Sequence, residues 1–519
     1  MQAGTWVAPV ACLALLLAGC LAASPAASGL KFDPRWAEHA LVGGEGHDHA
    51  NATQHLNLST PNFQVLGHDP MFSPFYGQAA GGTLCGDAAQ GPDGRRIAAV
   101  ESRSKVGFAL ADVTDGAHPK WLGEVVMENT HVYDVAVVPD GRHVVLVTSG
   151  LENLPVRPPV RAEWRTPCAP PVTLELPPSA APAADPVPRP SSIILVDILD
   201  PANPRFVDQQ PLSGYGHSAF STIIGDRTWV LATTSGPYTP AGSGAPPSGY
   251  EFFEIASTPA GDRLHLLSIY YPPATPGAVT PAPGPGGHDG WIAVHPATGQ
   301  TLAYLAGGDR LSILDLADAT QPRLLAAWTD NVPGRNVSTG NFHSVVPMTS
   351  LVAGRHYTIL GPEFATHPVD IPSGIVWVLD TTDPERPREV AGWTLPVDVE
   401  WAAGQDYQFS THYLGVHDET LFVSMYHGGV WAVDLSPIGS APFVSLPSIG
   451  VFLAADPGAE PAEPVRWAPT SEEVLPFADG NLVTFDPYSG LWVFRFDDAR
   501  PAPPPTPWPI VPPHPAGAA

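Results

Sequence analysis

The chain has 519 residues, 44% of them hydrophobic and 14% charged, which is ample apolar sequence for a large core. Lys and Arg number 24 against 51 Asp and Glu, a formal net charge of −27; a surface that acidic repels phosphate backbones and excludes nucleic acid as a partner. Pro (63) and Gly (50) punctuate alternating apolar runs, which points to many short strands joined by turns rather than to disorder.

The chain opens on "MQAGTWVAPVACLALLLAGCLAASPAASG". The apolar stretch Trp6–Ala18 is short for a bilayer span and has the length of a signal h-region. It ends in Leu17-Ala18-Gly19-Cys20, which resembles the lipobox of prokaryotic lipoproteins, although no Lys or Arg precedes it. The resemblance implies a signal peptide over residues 1–20, lipidation of Cys20, and an extracytoplasmic protein held to the membrane by a lipid anchor, at a prokaryotic cell surface or in a periplasm. Residues 21–60 then form a tether and a His-rich arm. In "GEGHDHANATQH" an extended His-x-His places His47 and His49 on one face, and His55 could close a second metal cluster. A solvated linker is the alternative for this arm. Cys85 and Cys168 remain after the signal; in an oxidising compartment they make one disulfide, or else two thiols.

From about residue 61 to 500 one phrase recurs: a β-branched run, an aspartate, a Pro-containing turn and a second run. Its copies are "VGFALADVTDGAHPKWLGEV" (106–125), "SSIILVDILDPANPRFV" (191–207), "RLSILDLADATQPRLLAAW" (310–328) and "GIVWVLDTTDPERPREVAGW" (374–393), with weaker forms at 428–446 and 490–503. The aspartates are Asp112, Asp197, Asp315, Asp380 and Asp434; Glu254 takes the place in "YEFFEIASTPAGDRLHLLSIY", and Asp497 is the nearest acid in the last copy. A carboxylate there can accept hydrogen bonds from turn N–H groups, and Pro halts the ladder. A hairpin pattern precedes the phrase, as in "HVYDVAVVPDGRHVVLVTS" (131–149). Each unit is therefore four antiparallel strands, and seven units begin near residues 81, 131, 217, 288, 343, 407 and 467. This predicts an all-β, seven-bladed β-propeller, closed by a strand at 62–70 that completes the last blade. Residues 151–190 are a Pro-rich insertion, 272–287 a Pro/Gly connector and 501–519 a Pro-rich tail, all expected as loops or polyproline II.

The phrases "IILVDILDPANP" and "VWVLDTTDPERP" resemble the signature of the LVIVD-repeat family of extracytoplasmic β-propellers, many of them lipoproteins. The motif specifies the blade and leaves the chemistry open. A local second resemblance, in "TLFVSMYHGGVWAVDLS", is to the selenium-binding protein/methanethiol oxidase propellers, which use channel histidines for copper; His427-Gly428 carries it.

His131, His217, His288, His343 and His412 stand at or near the start of units two to six, on the innermost strand of each blade. Innermost strands line the central channel, so these imidazoles are expected to converge, with Glu363 and His427 in support. Neutral imidazoles with a carboxylate suit Cu, Zn or Fe; hydrogen bonding to channel waters or backbone is the alternative. No Gly-x-Ser-x-Gly, phosphate-cradling loop or His-Glu-x-x-His occurs. The sequence thus leads to a binding or scaffold protein for a protein or glycan at the cell surface, and alternatively to a metal-dependent oxidoreductase or hydrolase built on the channel histidines.

Overall fold

In a computed structural model, residues 59–497 are described apart from 61, 70, 74–77, 80, 103–106, 128–129, 150–161, 167–168, 177–190, 236–248, 273–286, 309, 331–340, 364–374, 396–409, 427, 455–470, 472 and 487–489. Cys20, His47, His49, His55, Cys168 and His427 lie outside the described residues. The described chain is all strand, and no helix in it is long and apolar enough to cross a membrane.

Seven antiparallel sheets form a seven-bladed β-propeller. The innermost strands are Gly81–Gln90, His131–Val137, Tyr215–Ile224, Asp289–Val294, Asn341–Pro347, Leu414–His417 and Leu475–Pro476, for blades one to seven. Each lies against the next, and blade seven returns to blade one, so the ring is closed. Strand Phe63–Asp69 is the outermost strand of blade seven and pairs antiparallel with Gly490–Phe496, from Phe63 opposite Phe496 to Asp69 opposite Leu491. Closure in this way leaves no open sheet edge between first and last blades.

The repeated phrase explains the packing. In blade two, Ile194 and Val196 pack toward blade one, while Ile193 and Leu195 pack toward blade three. In blade five, Val376 and Val378 face blade six, and Trp377 and Leu379 face blade four. Strand side chains alternate between faces, so a strand covered on both faces must be apolar throughout. The hydrophobic core is accordingly a series of clusters, each shared by two neighbouring blades.

The aspartate that ends each run accepts the N–H two residues on: Thr114 to Asp112 at 2.9 Å, Leu199 to Asp197 at 2.8 Å, Ala317 to Asp315 at 2.9 Å, Thr382 to Asp380 at 3.0 Å and Ser436 to Asp434 at 2.8 Å. A second aspartate repeats the device three residues later, at Asp115, Asp200, Asp318 and Asp383. These are tandem Asx turns, with the carboxylate doing what a backbone carbonyl does in an ordinary turn. Glu254 differs: its strand, Gly249–Thr258, runs on past it, and its carboxylate pairs with Arg227 and His265.

Carboxylates also clasp blade to blade. Asp87 accepts Val137 N–H at 2.8 Å, Asp134 accepts Ala219 N–H at 2.7 Å, and Asp289 accepts Val345 N–H at 3.2 Å, each from the inner strand of the following blade. The Pro-rich insertion departs from expectation. Ala162–Thr166 and Ala169–Leu174 are strands that add to Lys120–Met127 and extend blade one to six strands. Trp164 is buried there, so this part of the insertion belongs to the packed body. Alternation of Trp164 with polar neighbours is the local reason, and the surrounding prolines obscured it.

Candidate metal centre

Local irregularity aims the inner-strand side chains. The ladder shifts register between Val132 and Asp134, between Gly216 and Ala219, and between Phe342 and Ser344. Tyr133, His217 and His343 sit on these bulges, and a bulged residue is turned out of the ordinary pleat. His288 and His412 stand just ahead of their strands, each donating its N–H, to Ala306 O at 3.1 Å and Ser424 O at 2.9 Å.

The result is a row of four imidazoles from blades three to six. Ring centroids are 4.0 Å apart for His217–His288, 3.9 Å for His288–His343 and 4.4 Å for His343–His412. Tyr133 continues the row on one side, 4.6 Å from His217, and Tyr426 on the other, 4.5 Å from His412. His131 is not in the row. Its ring lies 5.6 Å from Tyr133, which occupies in blade two the place that histidine has in the next four. The bulge at Tyr133 is the reason, because it sets the channel position two residues beyond His131.

Glu363, the last residue of strand Tyr357–Glu363, completes the group. Its Oε2 lies 3.7 Å from His288 Nε2 and 3.6 Å from His343 Nε2, and one ligand atom from each of the three residues lies within 4.8 Å of the others. Its Oε1 accepts a hydrogen bond from the Tyr426 hydroxyl. His288 and His343 are 6% and 2% exposed, whereas the Glu363 side chain is 24% exposed, so the group is buried on one side and open to solvent through the carboxylate.

The distances fit an ion better than direct pairing. Hydrogen bonds of N–H to O run about 2.7–3.2 Å, and these contacts are longer. Two atoms each about 2.0–2.1 Å from one ion at a tetrahedral angle stand about 3.4 Å apart; the two carboxylate–imidazole distances are near that value, and the three ligand atoms together lie within 4.8 Å of one another. The buried Nδ1 atoms of His288 and His343 have no hydrogen-bond partner among the described residues. Burial lowers the pKa of both well below the usual imidazole value, and the neighbouring imidazoles lower it further. Both are neutral at pH 7, the form in which imidazole binds metal. Burial pushes the phenols of Tyr133 and Tyr413 up, so both remain hydrogen-bond donors.

A second pair of buried histidines makes the contrast. His295 and His356 lie 4.4 Å apart between blades four and five, and their ring nitrogens are engaged: His295 with Thr381 O and Thr298, His356 with Met348 O and the Thr381 hydroxyl. That pair is structural. Cys85 is buried on the first inner strand, and its expected partner Cys168 lies outside the described residues.

No family model matches the chain, and no curated protein matches it. Among solved structures it is similar to Saccharomyces cerevisiae Sqt1, at 10% identity over 83% of this chain and 99% of that one, with a TM-score of 0.44. It is also similar to a putative 6-phosphogluconolactonase from Bacteroides uniformis (10% identity, 74% and 85% covered, TM-score 0.43). A third likeness is the Pseudomonas aeruginosa periplasmic gluconolactonase PpgL (14% identity, 78% and 93% covered, TM-score 0.43). At these identities the likeness is one of fold.

Proposed function

We propose that the protein is a metal-dependent enzyme of hydrolytic type whose ion is held by His288, His343 and Glu363. The single observation that carries this reading is that one carboxylate oxygen lies 3.6 and 3.7 Å from two neutral imidazole nitrogens in a half-open channel, with one ligand atom of each residue within 4.8 Å of the others. Two histidines and a carboxylate are a ligand set for zinc, and also for non-haem iron(II), with coordination positions left over. Bound zinc supplies Lewis acidity and a water of near-neutral pKa.

The chain's own residues do the rest. His288, just ahead of the inner strand of blade four, and His343, on the inner strand of blade five, present lone pairs, and Glu363 brings the only formal negative charge of the three ligands. His217 and His412 flank them at 4.0 and 4.4 Å between centroids and are placed to pass a proton to or from a substrate. The surrounding charge of −27 favours neutral or cationic substrates over anionic ones. We place the protein outside the cytoplasm, tethered through Cys20, and in the LVIVD-repeat family, on the strength of the N-terminal and repeat motifs.

Metal analysis of the purified full chain after equilibration with zinc and gel filtration tests the reading. About one ion per chain is expected, and markedly less in His343→Ala and Glu363→Gln. Wild-type protein that retains no metal would remove the enzyme reading and return the function to binding of a surface protein or glycan.

A further inference from the structure

Tyr426 is held in a way its sequence neighbourhood does not require. It is not a glycine, yet its φ is +48°, in the left-handed region that side-chain-bearing residues avoid. That conformation is locked from several directions. Its N–H donates to Ser471 O at 3.0 Å and its carbonyl accepts Ser471 N–H at 2.9 Å, a two-bond bridge to the chain of the next blade. Its carbonyl also accepts Gly429 N–H at 3.1 Å, closing a tight turn. Gly429 has φ +75°, and a Cβ there would stand 2.3 Å from Phe452 O, so the turn admits little else. Strained backbone that is held from all sides concentrates where a side chain must be aimed.

The side chain is aimed at the proposed centre. The ring packs on His412, and the hydroxyl donates to Oε1 of Glu363 while Oε2 faces the two imidazole nitrogens. The two carboxylate oxygens therefore have separate tasks. A carboxylate left alone can bind an ion through both oxygens and use an extra coordination position; one whose Oε1 already accepts a phenol binds through Oε2.

We propose that Tyr426 is a positioning residue that makes Glu363 a one-oxygen ligand, and so keeps a coordination position free for substrate or water. This rests on the metal reading above. Groups that orient a ligand in this way are worth roughly 10- to 100-fold in metal affinity.

The test is a double-mutant cycle on the full chain with cobalt(II), whose visible absorption reports coordination number. Tyr426→Phe keeps the ring on His412 and removes only the hydroxyl. Expected is a rise of roughly 10- to 100-fold in the cobalt Kd, with a weaker visible band as coordination number rises. In a Glu363→Gln background the same substitution should change the Kd by less than about twofold, because coupled partners do not add. The melting temperature of the metal-free protein should stay the same. Equal affinity and spectrum in wild type and Tyr426→Phe would overturn the inference while leaving the metal site standing. An equal loss in both backgrounds, with a lower metal-free melting temperature, would overturn it by showing a structural role. Failure of wild type to bind cobalt or zinc at all would instead overturn the reading it rests on.

Discussion

Acid should unfold this propeller partly through His356. The side chain is 1% exposed between blades four and five, and its hydrogen bonds fix a neutral tautomer. Nε2 donates to Met348 O at 2.9 Å, and Nδ1 accepts from the Thr381 hydroxyl at 2.9 Å. Burial lowers its pKa from 6.5 to about 4, with His295 lowering it further, while backbone hydrogen bonds with Met348 and Thr381 and the charge of Asp380 oppose. The folded chain thus takes up this proton less readily than the unfolded chain. The stabilisation is intact above about pH 6.5 and is lost as pH falls toward 4. At 1.36 kcal/mol per unit, the change is worth about 3 kcal/mol. The measurement is urea unfolding of wild type and His356→Gln at pH 7 and pH 4. Wild type should lose about 3 kcal/mol more than the variant over that interval. Taking the difference cancels other titrations, including Asp87, which burial pushes up to about 6 and whose contribution runs the other way, present in acid and lost as pH rises through 6. A difference that stays constant with pH would refute the reasoning. It would mean that the Thr381 and Thr358 hydroxyls, 2.9 Å apart, turn to accept the new proton within the fold.

Other expectations follow from the same geometry. His131→Ala should retain its metal in elemental analysis, whereas His288→Ala should not, because only the second supplies a ligand atom. Free zinc at a hundred times its Kd should stabilise wild type by about 2.7 kcal/mol in chemical unfolding and leave His343→Ala unmoved. Trp377→Ala, which empties a fully buried position between blades four and five, should cost about 3–5 kcal/mol by the same measurement. Phe63→Ala should lower the melting temperature well beyond an average surface substitution, since its ring meets Phe422, Phe452, Phe494 and Phe496 and seats the closing strand.

The fold was legible because its determinants are local and repeated. A run such as Ile193–Val196 is apolar on both faces, and Asp197 turns the chain with its own carboxylate, so the same few residues announce a blade wherever they occur. The row His217, His288, His343 and His412 was legible for the same reason, each standing at the start of an inner strand. His131 shows the limit of counting positions: a one-residue bulge at Tyr133 puts that ring, and not His131, next to His217, and a bulge has no signature in "HVYDVAV". Glu363 could be named only as a supporting group, because the end of a second strand meets the row through the ring's curvature. Tyr426 had no signal beyond the Gly428-Gly429 pair that follows it, since its role comes from a backbone angle and a bridge to Ser471, far along the chain.

The seam that closes the ring joins Phe63–Asp69 to Gly490–Phe496, and so ties nearly the first described residues to nearly the last. A contact spanning that much sequence carries a large loop-closure cost and slows folding. No blade is complete in isolation either, since every cluster needs the neighbour on each side. During synthesis the nascent chain therefore stays unlatched until its final strand has emerged. A polypeptide that cannot lock early keeps its strand edges open to other chains for the whole of its synthesis.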